Sequence, residues 1–338
     1  MEIDIKGGLR VKIDQKNKTA SISKSLKATG NILIPRFAEY NNIKYKIISI
    51  ESFSFWGTEI ESVTFPEDSE VETFESQIFG NSTIKKLRIP PKLKKLVHSW
   101  HDGIKNNIEI EISPKNDHFI YYDNKFLLGK SDENSNKFDA LYYARKDIED
   151  IVIPSQVKII KNSSFRQNEK LKSITFTKNS KLKIIEGYAF QFSFIRKLVL
   201  PSNIEHIDDD CFSQVSNLTE ISILPGNEIF TVIDNKYLLK KSQTKSQNYD
   251  VLLFAVRDIE NVIIPSYIKV INNHAFNKCN QLKSVTFKSN SSLELLGYYA
   301  FDNASGPRKI IFPPSLKKIG RSSFSDNENV KYIEFLSK

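Results

Sequence analysis

The chain has 338 residues, with 49 basic and 40 acidic side chains, a net charge of +9 and 40% hydrophobic content. That is ample apolar material for a large core, while two cysteines exclude a disulfide framework and no apolar run reaches the roughly 18 residues of a transmembrane helix. Gly-x-Ser-x-Gly, Walker and Gly-x-Gly-x-x-Gly patterns are all missing, so the common nucleophile and phosphate-loop chemistries have no residues to run on.

In chain order, residues 1 to 30 read as an N-terminal cap. Leu9 to Asp14 and Thr19 to Ser23 alternate apolar and polar residues around Gln15-Lys16-Asn17-Lys18, the pattern of a β-hairpin. Ile32 to Pro35 then supplies a first strand. From there an apolar-x-apolar triplet recurs, centred on Thr64, Arg88, Glu111, Val152, Thr175, Val199, Ser222, Ile263, Thr286, Ile311 and Glu334. Its steps are 23 to 25 residues, apart from two of 41. Within a unit, Leu171, Ile174 and Phe176 alternate with Ser173 and Thr175, which is the period of a strand with one buried face. A proline often ends the strand, as at Pro66, Pro90, Pro154, Pro201, Pro265 and Pro313. An apolar pair and an aromatic follow, for example Ile204/Ile207 and then Phe212.

Both 41-residue steps hold an extra segment, 113–147 and 224–258, each with two apolar runs joined by a polar loop. Each predicts a β-hairpin inserted into the array. The insert either decorates the binding side or lengthens the sheet locally. Residues 113 to 192 match 224 to 303 at an offset of 111 without a gap, so a block of about four units was duplicated. At the C-terminus no cap follows Ile333-Glu334-Phe335. That end is expected to be covered by a second copy of the chain, giving a homodimer, or blunted by Lys331 and Lys338.

A strand pattern returning every 20 to 29 residues predicts a leucine-rich-repeat solenoid. The expected fold is a β-strand-lined curved repeat array with a short helical or irregular convex side, the N-terminal hairpin cap and the two hairpin inserts, the solenoid running over 31–338. The sequence Ile-Pro-Ser…Val-Lys-x-Ile…Phe…Leu-Lys-Ser-Ile-x-Phe at Ile153 to Phe176, repeated at Ile264 to Phe287, resembles the BspA-type leucine-rich repeat. So do the inserts, with Asp-Asn-Lys and a following Leu-Leu. The resemblance covers about residues 30 to 338. It implies a non-catalytic protein-binding or adhesion module, a host extracellular protein or a glycan as partner, and a cell-surface or secreted location. The residues alone give a cytoplasmic protein, since Met1 to Asp14 contains no signal-peptide run.

Candidate binding residues come from the strand face. Its flanking column (Ser62, Lys86, Glu109, Asp150, Ser173, Lys197, Glu220, Asn261, Ser284, Lys309, Tyr332) is polar and mixed in charge, which strand propensity does not explain. Lys86, Arg88, Glu109 and Glu111 form its most charged stretch. They lie beside the unit 97–107, which departs from the pattern by placing His101 where another unit has Phe212. Trp100 and His101 are expected to be exposed there, and exposed Trp and Arg are favoured interface anchors. The partner site is therefore expected at Lys86, Arg88, Trp100, His101, Glu109 and Glu111, with the insert 113–147. A metal on His98, His101 and Asp102 is not expected, and no cofactor, membrane insertion or nucleic-acid partner is. The lysines are dispersed at turns next to acidic neighbours. Cys211 and Cys279 read as buried thiols. The six Asn-x-Ser/Thr sequons (Asn17, Asn81, Asn162, Asn217, Asn290, Asn303) matter only on export. A self-assembling scaffold built through the C-terminal end is the alternative function.

Overall fold

A computed structural model describes residues 1–104 and 107–336. It divides into two compact units, Met1–Lys146 with Ile160–Ser164, and Asp147–Ile159 with Phe165–Lys338. Each is a leucine-rich-repeat β-solenoid. The only helical stretch among the described residues is the three-residue 3-10 turn Lys6–Gly8, so the side opposite the strand-lined face is irregular rather than helical.

Each coil begins with one of the expected strands. In the first unit these are β1 (Thr29–Leu33), β2 (Glu59–Thr64), β3 (Lys86–Ile89) and β4 (Glu109–Ile112), which form one parallel sheet. In the second they are β5 (Asp150–Ile153), β6 (Ser173–Phe176), β7 (Lys197–Leu200), β8 (Glu220–Ile223), β9 (Asn261–Ile264), β10 (Ser284–Phe287), β11 (Lys309–Phe312) and β12 (Tyr332–Phe335). Alternation sets their orientation. In β5 and β9 the residues run exposed, buried, exposed, buried, so Ile151 and Ile153 enter the core while Asp150 and Val152 face out. Each buried large apolar side chain contributes about 1.5 to 3 kcal/mol relative to exposure.

The sequence leads one to expect a single broad sheet, and the second unit does not have one. There β5 to β8 pair in register, while among the described residues β9 pairs only with β10, and β11 only with β12. The first break falls where the insert 224–258 enters. The second falls in the 25-residue step, where Gly306-Pro307 adds length and Pro307 brings no N–H to a ladder.

A second sheet is built from two-residue strands further along each coil. In the second unit it runs in parallel through Val270–Ile271, Leu295–Leu296 and Lys318–Ile319. The insert joins this sheet, not the strand-lined face: Val251–Ala255 pairs with Val270–Ile271. Each insert has one strand more than a hairpin. Phe119–Tyr122, Phe126–Lys130 and Phe138–Ala144 form an antiparallel meander, as do Phe230–Ile233, Tyr237–Lys240 and Val251–Ala255. The reason is local. Asp123-Asn124 and Asp234-Asn235 all take left-handed backbone, with φ between 50° and 53°, the conformation of a two-residue hairpin turn. What reads as one apolar run is therefore folded back on itself. The inserts lengthen the second sheet, and Leu127, Leu128 and Leu141, or Leu238, Leu239 and Leu252, are buried outright.

The cap contains the expected hairpin Leu9–Asp14/Thr19–Ile22 and a further outer strand, Glu2–Ile5. Within runs of regular coils the closing aromatic stacks on the next. Phe55 meets Phe79 in the first unit; Phe165, Phe190 and Phe212 stack at 5.5 and 5.7 Å, and Phe276, Phe301 and Phe324 at 4.8 and 5.4 Å, in the second. Cys211 and Cys279 are buried and unpaired, and burial pushes both thiols up in pKa.

Candidate binding surface

Strand register brings four of the six candidate residues together. Lys86 lies opposite Glu109, and Arg88 opposite Glu111, on β3 and β4. Lys86 Nζ sits 3.3 Å from Glu109 Oε1 and 3.5 Å from Glu111 Oε2. The Glu109 carboxylate, and then Glu111, hold the Lys86 ammonium above its usual pKa. Arg88 donates to Glu67 Oε1, and Glu67 Oε2 accepts from Ser113 Oγ at 2.9 Å, so the start of the insert touches the patch. All four are partly or well exposed and self-neutralising. A partner can read their pattern, but no excess of one sign remains to attract it at long range.

Trp100 and His101 are not part of that surface. They are 2% and 1% exposed, and the expectation that they face solvent is corrected. The cause is the coil's inner column. His101 stands where Phe212 stands in the duplicate, and Tyr143 stands where Phe254 does. His101 packs edge-on against Tyr143 at 5.1 Å, as Phe212 packs against Phe254 at 4.8 Å. The unit has exchanged two phenylalanines for a polar pair, and Tyr143 Oη donates to Asn107 Oδ1 at 3.3 Å. Trp100 fills the neighbouring space, 5.1 Å from His101. Among the described residues no group of three His, Cys, Asp or Glu side chains is placed to hold a metal.

The dispersed lysines have a structural explanation that the spacing hints at. Lys85–Glu61, Lys172–Glu149, Lys197–Glu220, Lys283–Glu260 and Lys317–Glu294 each link a coil to its neighbour at 2.5 to 3.0 Å. Such exposed pairs contribute little to stability individually. They do explain why cations and anions alternate along the columns. The flanking column continues this polarity: Ser173 Oγ donates to Asp150 Oδ1 and Ser284 Oγ to Asn261 Oδ1, at 2.5 and 2.7 Å. The central column carries the exposed β-branched residues Val152, Ile263 and Ile311.

The breaks in the second unit's sheet open grooves. Between β10 and β11 lies one of about 540 Å³, lined among others by Thr286, Phe287, Pro307, Ile311, Pro313 and Leu336. A more polar one of about 460 Å³, between β8 and β9, includes Asp234, Asp258 and Glu260. At the far end β12 pairs only with β11 among the described strands. Its Tyr332, Ile333 and Phe335 are 65%, 41% and 58% exposed. Lys338, expected to blunt this edge, lies outside the described residues.

Comparison with known proteins follows the geometry. The model of the BspA type leucine rich repeat region matches in six copies, over residues 37–124, 137–251 and 249–338. Among solved structures, the chain resembles a leucine rich cell surface protein from Faecalibacterium prausnitzii. The TM-score is 0.54 at 18% identity, covering 100% of this chain and 95% of that one. It also resembles a leucine-rich repeat protein from Eubacterium ventriosum (TM-score 0.45, 15% identity, 100% and 73% covered) and the pneumococcal vaccine antigen PcpA (TM-score 0.44, 15% identity, 99% and 81% covered). At these identities the likeness concerns the fold alone. Among curated proteins none matches. No helix of the described residues is long and apolar enough to cross a membrane.

Proposed function

We propose, from the premise that the chain belongs to the BspA-type leucine-rich repeat family, that it is a non-catalytic adhesion module that grips a partner protein through its strand-lined face. The observation that carries this reading is the outward flanking column. Stacked strands hold polar side chains at fixed spacing along one face, and mixed charges give orientation and specificity more than raw affinity. Lys86, Arg88, Glu109 and Glu111 are its densest segment. The location proposed is outside the cell, in keeping with the Faecalibacterium prausnitzii protein described as a cell surface protein. The test is binding of a partner recovered by cross-linking, measured with Lys86→Glu and Arg88→Glu. Weakening by tenfold or more with an unaltered unfolding midpoint supports the site. Undiminished binding by both variants sinks it.

A second reading, a self-assembling scaffold, is supported by β12. Its exposed Tyr332, Ile333 and Phe335 would be covered by a second copy pairing along the edge that no described strand occupies. The mass in solution across a concentration series decides that question.

A further inference from the structure

The six-residue turn that carries the closing aromatic is repeated nine times, and its backbone is nearly invariant. Two positions after the aromatic, the residue is always left-handed: Gly57, Asn81, Gly103, Gln167, Phe192, Gln214, Lys278, Asn303 and Asp326. Left-handed backbone is easy for glycine, tolerable for Asn and Asp, and strained for a bulky ring. Eight of the nine turns use a small or polar residue there. One uses phenylalanine, with φ 57° and 42% exposure, so the ring neither eases the backbone nor fills the core.

The same turn departs a second time. Two residues further on, where other turns have Glu59, Thr83, Glu169, Ser216, Asn280, Ser305 and Glu328, this one has Phe194, 46% exposed. Ser193 and Ile195 are buried between and after the two rings, while Phe192 and Phe194 both stay in solvent. Tyr188, 36% exposed, precedes them in the turn, its backbone N–H donating to Asp210 O at 3.3 Å. The Arg166 guanidinium lies over the Phe192 ring, 5.4 Å from its centre. Along the columns the flanking positions are Gln167 and Gln214 on either side of Phe192, and Glu169 and Ser216 beside Phe194.

We propose that Tyr188, Phe192 and Phe194 form a carbohydrate-stacking platform on the turn side of the second unit, separate from the strand-lined face. Size selects the occupant. Three rings exposed to this degree offer about 250 Å² of apolar surface, taking about 200 Å² per ring. A stable protein interface needs about 800 Å² from each side. One or two sugar rings fit the smaller figure. Chemistry agrees. A pyranose presents an apolar C–H face to an aromatic ring and hydroxyls around its edge. The rim is polar: the Gln214 amide donates to Asp302, the Arg166 guanidinium donates to Gln191, and the Glu169 carboxylate lies beside Phe194 in the neighbouring coil, so sugar hydroxyls would meet donors and acceptors already held in place. The platform is a feature of this one turn: its duplicate at an offset of 111 has Asn303 and Ser305 in place of the two rings.

The test converts the platform into its own duplicate. Phe192→Asn with Phe194→Ser is compared with the unaltered chain on an array of neutral and acidic oligosaccharides, followed by calorimetric titration with the strongest hit. The expected result is retention of at least one glycan class by the unaltered chain. The double variant should lose at least about tenfold in affinity, the scale of removing two stacked rings, and its unfolding midpoint should be equal or higher because strain is relieved. Lys86→Glu should leave glycan binding unchanged, which separates this platform from the strand-lined face. Any of three results overturns the proposal: no glycan retained anywhere on the array, equal affinity in the double variant, or a lowered midpoint showing that the rings hold the fold together.

Discussion

Replacing Arg257 by methionine tests how the second insert is fastened to its solenoid. Arg257 is 3% exposed, and among the described residues no carboxylate pairs with it. Its guanidinium is instead held by carbonyls: Nε donates to Val215 O and Nη1 to Ala275 O, both at 2.9 Å, with longer bonds to Ala255, Phe212 and His274. It also lies 4.2 Å from the centre of the Phe254 ring. These partners come from the turn before the insert, from the insert itself and from the turn after it, so one side chain ties the three together. Val215 O accepts no other bond among the described residues, whereas Ala275 O also accepts from Ala255 N. Methionine therefore orphans one buried carbonyl, at about 1 to 3 kcal/mol, and removes a second charge-assisted bond. It also forfeits up to about 2 kcal/mol of cation–π contact. Against this, methionine relieves the burial of a charge, the main cause that pulls the Arg257 pKa below its ordinary value. The balance is a loss of about 2 to 3 kcal/mol. Lysine should cost less, about 1 kcal/mol, because it can keep the essential bond. Lys146, the counterpart in the duplicate, donates Nζ to Ile104 O, the counterpart of Val215 O. Urea unfolding by far-UV circular dichroism, with hydrogen exchange read on peptides covering 212–216 and 274–279, measures both. A methionine variant as stable as the parent, or a lysine variant less stable than the methionine one, would refute the reasoning.

Other outcomes follow from the same geometry. Phe190→Ala removes the middle ring of a stack and should cost about 3 to 5 kcal/mol in the second unit, seen as early loss of strand signal on heating; a loss below about 1 kcal/mol would mean the coil collapses around the gap. Glu70 is only 8% exposed, and the hydrogen bond from Lys92, then that from Arg36, hold its carboxyl below the ordinary glutamate range. A depressed carboxylate stabilises the folded state above its unfolded pKa and ceases to do so as pH falls through the folded one. The first unit should thus weaken between about pH 5 and 3. Both tryptophans, Trp56 and Trp100, lie in that unit and report it by fluorescence. Glu70→Gln should flatten that part of the profile, and an unchanged profile would place the pH sensitivity elsewhere. Ile333→Asp should abolish concentration-dependent association in sedimentation if β12 mediates it, and an associating variant would move the interface away from that strand.

Much of the fold was legible because it rests on residues that alternate. At each triplet from Thr64 to Glu334 the structure has a strand, and up to Ile311 a wrong face would put the flanking apolar residues in water. The offset of 111 likewise carries meander onto meander. What escaped notice turned on single residues whose meaning is set by neighbours distant in sequence. His101 looks like a surface histidine until Tyr143 is brought beside it. Asp123-Asn124 looks like part of a loop-prone motif, yet its left-handed backbone splits an apolar run into two strands. The second sheet break depends on the residues added around Gly306-Pro307. Lys146 and Arg257 carry charge at the ends of the inserts, yet both are buried to satisfy equivalent carbonyls.

The distribution of surprises between inside and outside is itself informative. Inward positions vary within narrow limits across the coils, because each must fill the same space against the same neighbours. Where one changes, a partner changes with it, as Phe254 and Phe212 answer to Tyr143 and His101. Outward positions carry no such coupling, so an outward residue that works against its own backbone needs a different cause. Val152 and Ile263 do not qualify, since β-branched residues suit a strand wherever they point. Lys86 and Glu109 qualify weakly, because their pairing accounts for part of their presence. Phe192 qualifies fully. Its position asks for Gly or Asn, its ring stays 42% exposed, and the duplicated turn does without it. A ring left this exposed at a position that asks for Gly or Asn, with only Arg166 laid over it, points to something outside the chain, and it does so without requiring that the partner be known in advance.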